Sequence, residues 1–432
     1  MNDTAEVFLW GTRIGIIRLE EEVVSYEYDR DFVRSGIEVS PLFMPLSSRT
    51  YRFPELAGTA FHGAPGLLSD SLPDRFGNAV IDQWLSSQGR SPDSYSVIER
   101  LCYTGKRGMG ALEYVPAIGP QNNEEEQVDL SEMVRFASYI LNDREHIHFS
   151  MKDSVPAKQL LKLGTSAGGA RAKAIIAWNE ATNDVRSGQI RAGDGYGYWL
   201  MKFDGVYGNG DHAIVDEPEY TRIEYAYYRM AVEAGVQMSE CRIFRENGRN
   251  HFMTRRFDRI GDAGGKMHMQ TLGALAHIDF NVPGLCGYEQ AAMYGKRIGL
   301  PAVDIEQLFR RMVFNVLAVH QDDHVKNLSF LMDRAGKWRL SPAYDVTFVY
   351  DASNRWLSSH QMTVNGKRSS ITGDDLMTSG TLMDISSSKR KKIIGEVAET
   401  VDRWSEFAQE AGVRESSAAM IGEVIKTVGH LS

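Results

Sequence analysis

The stretch that decides the predicted fold is His320-Gln-Asp-Asp-His-Val-Lys-Asn327, a block of eight residues of which seven are polar or charged. An apolar pattern with helical spacing, Ile305 to Val319, precedes it. A predicted hairpin of two short strands, Leu328 to Leu340, follows it. An acidic residue, Asp345, comes directly after the hairpin. The sequence therefore predicts the order helix, polar loop, hairpin, acidic residue.

The spacing inside the polar block indicates phosphoryl transfer. Protein kinases place a catalytic Asp five residues before an Asn, and a metal-binding Asp after the next hairpin. Asp322 and Asn327 have this spacing, and Asp345 lies where the second acid is needed. A carboxylate is needed to accept the proton of the attacking hydroxyl, and hard oxygen ligands are needed to hold Mg²⁺. This pattern makes Asp322 the candidate base, whereas Asp323 is interpreted as a supporting carboxylate of the loop.

Two other interpretations of the block stay open at this point. His320 and His324 are four residues apart and can be metal ligands of a hydrolase, although the chain has no HExxH motif. The block can also be a loop of solvated polar residues.

Residues upstream of the block follow the order of the kinase machinery. The glycine-rich stretch from Gly164 to Lys173 precedes a predicted strand, as a phosphate-covering loop does, but it matches neither GxGxxG nor a Walker A motif. Lys202 lies on the strand pattern Tyr198 to Phe203, and Glu224 lies on the predicted helix between Pro218 and Gly235. A lysine on a strand and a glutamate on the next helix form an ion pair in kinases.

Three local signals predict structure without reference to the site. Asp304 is a predicted N-cap of the helix before the polar block, with Gln307 at the third position. Asn365-Gly366 is a typical hairpin turn. The basic cluster Lys389 to Lys392 begins a predicted helix, as a solvated helix end or as a contact to DNA or to an acidic partner.

Composition bounds the class of protein. The charge balance of 48 Lys+Arg against 57 Asp+Glu, net −9, argues against a chain that binds nucleic acid by itself. The stretch from Pro116 to Gln127, in which Pro, Gly, Asn and Glu residues cluster, is interpreted as a linker. We predict an N-terminal domain over 1–125, a smaller strand-rich lobe over 126–258 and a helical lobe over 259–432.

The sequence patterns do not predict a signal peptide or a membrane span. The acidic segment Met1 to Glu6 lacks the basic and apolar parts of a signal peptide. The most apolar helical stretch, Met312 to Val319, is much shorter than a membrane span. The three cysteines are far apart and form no CxxC pair, which fits a reducing compartment. We expect a cytoplasmic protein with no membrane contact.

Taken together, these residues resemble the HipA-type toxin serine/threonine kinases of bacterial toxin–antitoxin systems. The resemblance covers most of the chain. It rests on the stretch Phe61 to Gly77, which is similar to the N-terminal signature of the family, and on four matches to its kinase core: Gly164 to Lys173, Arg256-Phe-Asp-Arg259, Asp322 to Asn327, and Tyr344-Asp345. It implies an α+β fold, namely a two-lobed protein-kinase-like fold with a strand-rich N-lobe and a helical C-lobe, and an additional N-terminal α+β domain.

The resemblance also implies roles for single residues. Asp322 would be the catalytic base, and Asn327 and Asp345 would hold Mg²⁺. Ser166 would be a site of autophosphorylation that displaces the glycine-rich loop. The residues assigned to ATP are Gly168, Gly169, Lys173, Lys202, Arg255, Arg256, Phe257, His324, Lys326, Asn327 and Asp345. Two positions depart from the family pattern: Asp323 stands where many relatives have Gly, and Arg255 where Glu is common.

The partners that the resemblance implies are a helix-turn-helix antitoxin, operator DNA bound through the antitoxin complex, and a protein substrate. A component of translation, such as an aminoacyl-tRNA synthetase, would be that substrate, and its phosphorylation would inhibit growth. The alternative function is a kinase-fold module that binds nucleotide or antitoxin and acts as a transcriptional co-repressor without catalysis.

Overall fold

The computed structural model describes residues 3–87, 89–118, 129–134, 137, 171–189, 191–206, 219–261 and 264–429. These residues fall into two compact units. The first unit comprises Met1–Pro218, Phe244–Gln270 and Met332–Gly336, and the second comprises Glu219–Ile243, Thr271–Leu331 and Lys337–Ser432. The boundaries predicted near residues 125 and 258 stay predictions, and most of the predicted linker lies outside the described residues.

The N-terminal part of the first unit is built on an antiparallel sheet with strand order β4-β3-β2-β1-β5. On β1, Ala5, Val7 and Leu9 are buried, because alternate side chains of a strand point to the same face. The strands are β1 Thr4–Leu9, β2 Thr12–Glu20, β3 Val23–Tyr28, β4 Thr50–Tyr51 and β5 Leu112–Val115. The helices are α1 Arg30–Val33, α2 Gly66–Ser69, α3 Arg75–Ser87 and α4 Val97–Thr104.

The second sheet of the first unit has the order β7-β6-β8-β10-β9. Its strands are β6 Lys173–Asn179, β7 Asp184–Ser187, β8 Gly197–Lys202, β9 Cys241–Glu246 and β10 Arg249–Arg255, and three short strands follow: β11 Arg259–Ile260, β12 Gly265–Lys266 and β13 His268–Thr271. The strand predicted after the glycine-rich stretch is confirmed as β6, and the strand pattern Tyr198 to Phe203 is confirmed as β8.

The second unit is mainly helical. Its elements are α5 Tyr220–Glu233, α6 Leu272–Ala276, α7 Tyr288–Arg297, α8 Ala302–Leu317, β14 Ser329–Met332, β15 Trp338–Leu340, α9 Gly373–Leu382, α10 Ser387–Val401, α11 Trp404–Glu410 and α12 Glu415–Val428. The helix, hairpin and loop order around the polar block is confirmed, as is the turn at Asn365-Gly366. Both residues of that turn have positive φ, and Val364 and Lys367 exchange backbone hydrogen bonds across it.

The predicted capping role of Asp304 is wrong. Helix α8 begins at Ala302 after Pro301, and Pro301 provides no side-chain cap. The Asp304 carboxylate instead accepts two hydrogen bonds from the guanidinium of Arg339, at 2.8 and 2.9 Å, and one from the backbone N–H of Leu340 at 2.9 Å. Asp304 therefore joins α8 to β15, because a charge-assisted contact to a neighbouring strand satisfies the carboxylate better than one cap bond does.

The three cysteines, Cys102, Cys241 and Cys286, are buried and free, so no disulfide joins them. Within the described ranges, no helix combines the length and the apolar character that crossing a bilayer requires.

Candidate active site

The polar loop begins where α8 ends, at a residue in an unusual backbone conformation. Val319 has a φ of 53°, which is strained for a β-branched residue and is often found at functional sites. The segment after Asp345 holds this part of the loop in place. Gln321 N–H donates to the Val349 carbonyl at 3.1 Å, and His320 Nδ1 lies 2.8 Å from the Thr347 carbonyl oxygen. The structure thus brings the loop and the segment of Asp345 together.

The two consecutive aspartates of the loop have opposite environments. The side chain of Asp322 is 43% exposed, whereas that of Asp323 is 1% exposed. Asp322 is therefore accessible to a second molecule, and Asp323 is not. This difference supports the interpretation of Asp322 as the reactive carboxylate and of Asp323 as a supporting one.

Asn327 closes the loop back onto Asp322. Its amide Nδ2 donates to the backbone carbonyl of Asp322 at 2.9 Å, and its own N–H donates to the His324 carbonyl at 2.8 Å. The first bond uses the nitrogen end of the carboxamide. That bond does not use the oxygen end, which is the end that binds a hard cation.

Asp345 lies in the left-handed region of the backbone, with a φ of 57°. The preceding Tyr344 hydroxyl donates to the Lys326 carbonyl at 2.6 Å and is hydrogen-bonded to Ser329. The carboxylate of Asp345 is close enough to both loop histidines to influence their protonation. The three oxygen-bearing side chains predicted for the site, those of Asp322, Asn327 and Asp345, thus belong to one group of neighbouring segments.

Of the two loop histidines, His320 is buried and His324 is half-buried. Burial lowers the pKa of His320 and of His324, against the opposing effect of the nearby carboxylates, so both imidazoles are neutral at neutral pH. The described residues contain no group of three or more His, Cys, Asp or Glu placed to hold a metal ion, so they offer no site of the usual zinc type. The Phe280 ring contacts His324 and Lys326: it lies 5.5 Å from the His324 ring, and the Lys326 ammonium lies 4.4 Å from its centre.

In the first unit, two lysines predicted to bind ATP are register partners. Lys173 on β6 is opposite Lys202 on β8, and their residues are 5% and 8% exposed. Directly opposite residues share one face of a sheet, so the two positive charges need compensation. The Lys173 ammonium has it in Asp74, at 2.9 Å, and Asp74 also accepts the Gly77 N–H at the start of α3. Lys173 is thus paired within the protein, and its role as an ATP ligand stays a prediction.

The motif Arg256-Phe-Asp-Arg259 also has partners within the protein. The buried Asp258 carboxylate lies 2.7 Å from the guanidinium groups of both Arg256 and Arg259, and it accepts the Gly110 N–H at 2.7 Å. Gly108 accepts hydrogen bonds from both arginines through its carbonyl. The guanidinium of Arg256, predicted to meet adenine, is used in this cluster. Arg255, by contrast, is exposed at the end of β10.

Ser166, Gly168 and Gly169 lie outside the described residues. Glu224 lies on α5 in the second unit and is 2% exposed, so it is a buried helix charge rather than a solvated one. Phe257 is partly exposed and follows β10.

Sequence reasoning missed the residues that support the site. These are Asp74, Gly108, Gly110, Tyr288, His360 and Gln361. Asp74 and the glycines carried a signal, because Asp74 is in the quoted Phe61 to Gly77 stretch and Gly105 to Gly110 is glycine-rich. The other three stand in ordinary helix and loop sequence and had none.

Comparisons with known proteins agree with this architecture. A chain in the structure of the Shewanella oneidensis MR-1 toxin–antitoxin system of HipA, HipB and operator DNA superposes with a TM-score of 0.66 at 15% identity, over 98% of this chain and 95% of that one. A Sinorhizobium fredii protein named "Putative kinase Y4mE" is 26% identical over 206 residues, which are 45% of this chain and 42% of the relative. The chain thus spans less than half the length of that curated relative.

Two family profiles match the chain in consecutive parts. The profile described as the HipA N-terminal domain matches residues 5–115, and that of the HipA-like C-terminal domain matches residues 165–429. The second match alone covers more than half of the chain, and the fold is the α+β fold of the Shewanella structure. The chain belongs to the HipA family.

Proposed function

We propose that this chain is an ATP- and Mg²⁺-dependent protein serine/threonine kinase and the toxin of a toxin–antitoxin pair. The observation that carries the proposal is the geometry of the polar loop. A half-exposed Asp322 carboxylate is held next to Asn327, whose amide binds the Asp322 backbone, and the segment of Asp345 is bonded to the same loop. These are the residue types and the chain order that phosphoryl transfer to a hydroxyl requires.

In this proposal Asp322 accepts the proton of a serine or threonine hydroxyl of the protein substrate. Its exposure lets it reach that hydroxyl within hydrogen-bond distance. The oxygen atoms of Asn327 and Asp345 would hold Mg²⁺, because such hard donors suit Mg²⁺ better than a softer metal. When bound there, the metal would supply positive charge opposite the phosphate groups.

In this proposal the nucleotide is bound by the residues that the sequence assigns to ATP. Lys202 contacts the phosphates, Arg255 and Phe257 receive the adenine, and His324 and Lys326 line the site from the loop. Gly168 and Gly169 cover the phosphates, and phosphorylation of Ser166 switches the enzyme off by adding charge to that glycine-rich stretch. Lys173 and Arg256 belong to the same nucleotide site, with their side chains held by Asp74 and Asp258.

The partners proposed are a helix-turn-helix antitoxin, operator DNA bound through the antitoxin, and a protein substrate in translation, such as an aminoacyl-tRNA synthetase, in the cytoplasm. The Shewanella complex with HipB and operator DNA supports the first two. The net charge of −9 favours DNA contact through a basic partner rather than by this chain alone.

Phosphoryl transfer from γ-labelled ATP tests the kinase. The full chain is incubated with Mg²⁺ and a cell lysate, beside Asp322→Asn and the control Asp384→Asn. Asp384 is exposed and pairs with Lys296, so its loss changes charge without touching the loop. We expect Asp322→Asn to lower labelling by about 100-fold or more, which is the usual contribution of a general base, and the control to label normally. Label transfer that survives Asp322→Asn contradicts the mechanism.

Growth arrest separates catalysis from binding. Wild type and Asp322→Asn are overexpressed without an antitoxin. Arrest by the wild type alone is expected, because the toxin acts by phosphorylation. Equal arrest by both proteins favours the non-catalytic co-repressor.

A further inference from the structure

Asp323 is a buried carboxylate with three hydrogen-bond donors. Its Oδ2 accepts the Tyr288 hydroxyl at 2.8 Å and lies 3.0 Å from His360 Nδ1, and its Oδ1 accepts the Gln361 N–H at 2.7 Å. The donors come from α7 and from a segment more than 30 residues further along the chain than Asp323. A carboxylate that is removed from water and bonded in this way has one position available to it.

The donors are themselves held by other segments. The Tyr288 hydroxyl accepts a hydrogen bond from Asn315 Nδ2 on α8 at 2.8 Å. Gln361 Nε2 donates to the carbonyl of Gln321 at 3.3 Å, and the Gln361 carbonyl accepts the Gly284 N–H at 2.8 Å. Two helices and two loop segments therefore converge on the residue next to Asp322.

The carboxylate of Asp323 is ionised in this network. Burial alone would raise its pKa, but the interaction and hydrogen bond with His360 and the hydrogen bond from the Tyr288 hydroxyl lower the pKa below its usual value. The three donors are thus matched to a negative charge, and a neutral side chain of the same shape cannot satisfy all of them.

We infer that Asp323 is a positioning residue for Asp322. The side chain of Asp323 is fixed by its hydrogen bonds within the second unit and so holds the backbone of the loop. The carboxylate of the preceding residue, Asp322, therefore stays exposed to solvent, where it can reach a substrate hydroxyl. This arrangement explains why the side chain of Asp323 is 1% exposed and that of Asp322 is 43% exposed. The inference rests on the proposed kinase function.

A purely structural role is the alternative, and the chain offers a matched control for it. Asp304 is also a buried carboxylate of the second unit that accepts three hydrogen bonds, but its partners, Arg339 and Leu340, belong to the hairpin after the loop. Asp323→Asn and Asp304→Asn remove the same charge from comparable surroundings. The two variants differ in that Asp323 is adjacent to Asp322 in the loop, whereas Asp304 and its partners lie outside that loop.

The test measures steady-state phosphorylation by the full chain and by both variants, with the folded fraction determined for each. We expect Asp323→Asn to lower kcat by about 10- to 100-fold with KM for ATP within about twofold, because a small displacement of a reacting group has this effect. Asp304→Asn keeps the kcat of the wild type per folded molecule, although it unfolds at a lower temperature. In the Asp322→Asn background, Asp323→Asn causes no further loss, since it acts through Asp322.

A wild-type kcat for Asp323→Asn, or equal losses of kcat in both variants, overturns the inference. Tyr288→Phe removes one of the three donors and is the second variant if Asp323→Asn does not fold; a lower kcat at unchanged KM for ATP supports the inference, and an unchanged kcat opposes it. Failure of the proposed function shows separately, as a wild type without Asp322-dependent transfer. In that case deuterium exchange of residues 320–327 tests the anchoring of the loop. Faster exchange in Asp323→Asn but not in Asp304→Asn supports the anchoring, and the same exchange rate in both variants overturns it.

Discussion

His268 shows how one buried side chain sets the response of this protein to pH. It is fully buried, its Nε2 lies 3.1 Å from the Val39 carbonyl oxygen, and burial lowers its pKa to about 4. The unfolded chain has the ordinary histidine value of 6.5. As the pH falls below 6.5, the unfolded chain takes up a proton that the folded chain does not, so the free energy of unfolding decreases until the pH nears 4.

His268→Gln removes this titration and keeps a side-chain N–H for Val39. We expect the wild type to lose about 3 kcal/mol more of its free energy of unfolding than the variant between pH 7 and pH 4, because each unit of pKa shift corresponds to about 1.4 kcal/mol. Urea unfolding at several pH values measures it. Parallel profiles of the two proteins would show that His268 makes no contribution.

The loop between α4 and β5 is an element that acts through its backbone. Gly108 and Gly110 receive the arginines of the Arg256–Arg259 motif on their carbonyls, and Gly110 N–H donates to Asp258. Gly110 has a φ of +73°, and a Cβ there would lie 3.1 Å from the Met269 nitrogen. Only glycine combines this conformation with so close an approach.

Gly110→Ala is compared with Gly248→Ala to separate these two requirements. Gly248 has a φ of +78° but open space around it, so both variants have the conformational cost of about 1–2 kcal/mol for a residue with a Cβ at positive φ. We expect Gly110→Ala to lose about 1–3 kcal/mol more in the free energy of unfolding, because the added atom meets backbone. Equal losses in a denaturant titration would mean that the approach to Met269 is unimportant.

The first unit as a whole contains the N-terminal family domain and part of the C-terminal one. Buried polar contacts join them: Asp74 pairs with Lys173, Asp258 binds Gly110, and Trp10 Nε1 donates to the Lys266 carbonyl at 2.8 Å. Such contacts are costly when only one partner is left in place. The two sheets of this unit are therefore expected to lose their structure together.

Asp258→Asn tests this coupling, because it leaves two buried guanidinium groups without their carboxylate. We expect a loss of about 3–5 kcal/mol in stability and faster deuterium exchange in β1 and in β8 alike. Asp82→Asn, which removes a half-exposed partner of Arg100, should cost under about 1 kcal/mol. Faster exchange confined to β8 would contradict the coupling.

Local patterns predicted much of the fold and part of the site. Periodicity and turn chemistry depend on neighbours in sequence, so they predicted five local elements correctly. These are the strands at 173–179 and 197–202, helix α8, the hairpin after the loop and the turn at Asn365-Gly366. The pairings of Asp304 with Arg339, of Lys173 with Asp74 and of Arg256 with Gly108 could not be predicted, because the partners lie at least 35 residues apart in the chain.

The polar block from His320 to Asn327 shows which properties of the site depend on the sequence alone and which depend on the tertiary structure. Its residue types and spacing determined the candidate chemistry, one of the matches on which the family resemblance rests, and the place of Asp322 in the loop. Which of two adjacent aspartates faces outward was decided only by the tertiary structure, where Tyr288, His360 and Gln361 converge on Asp323. Spacing along the chain specifies chemical groups, but the direction of a side chain in a loop depends on contacts that only folding brings together.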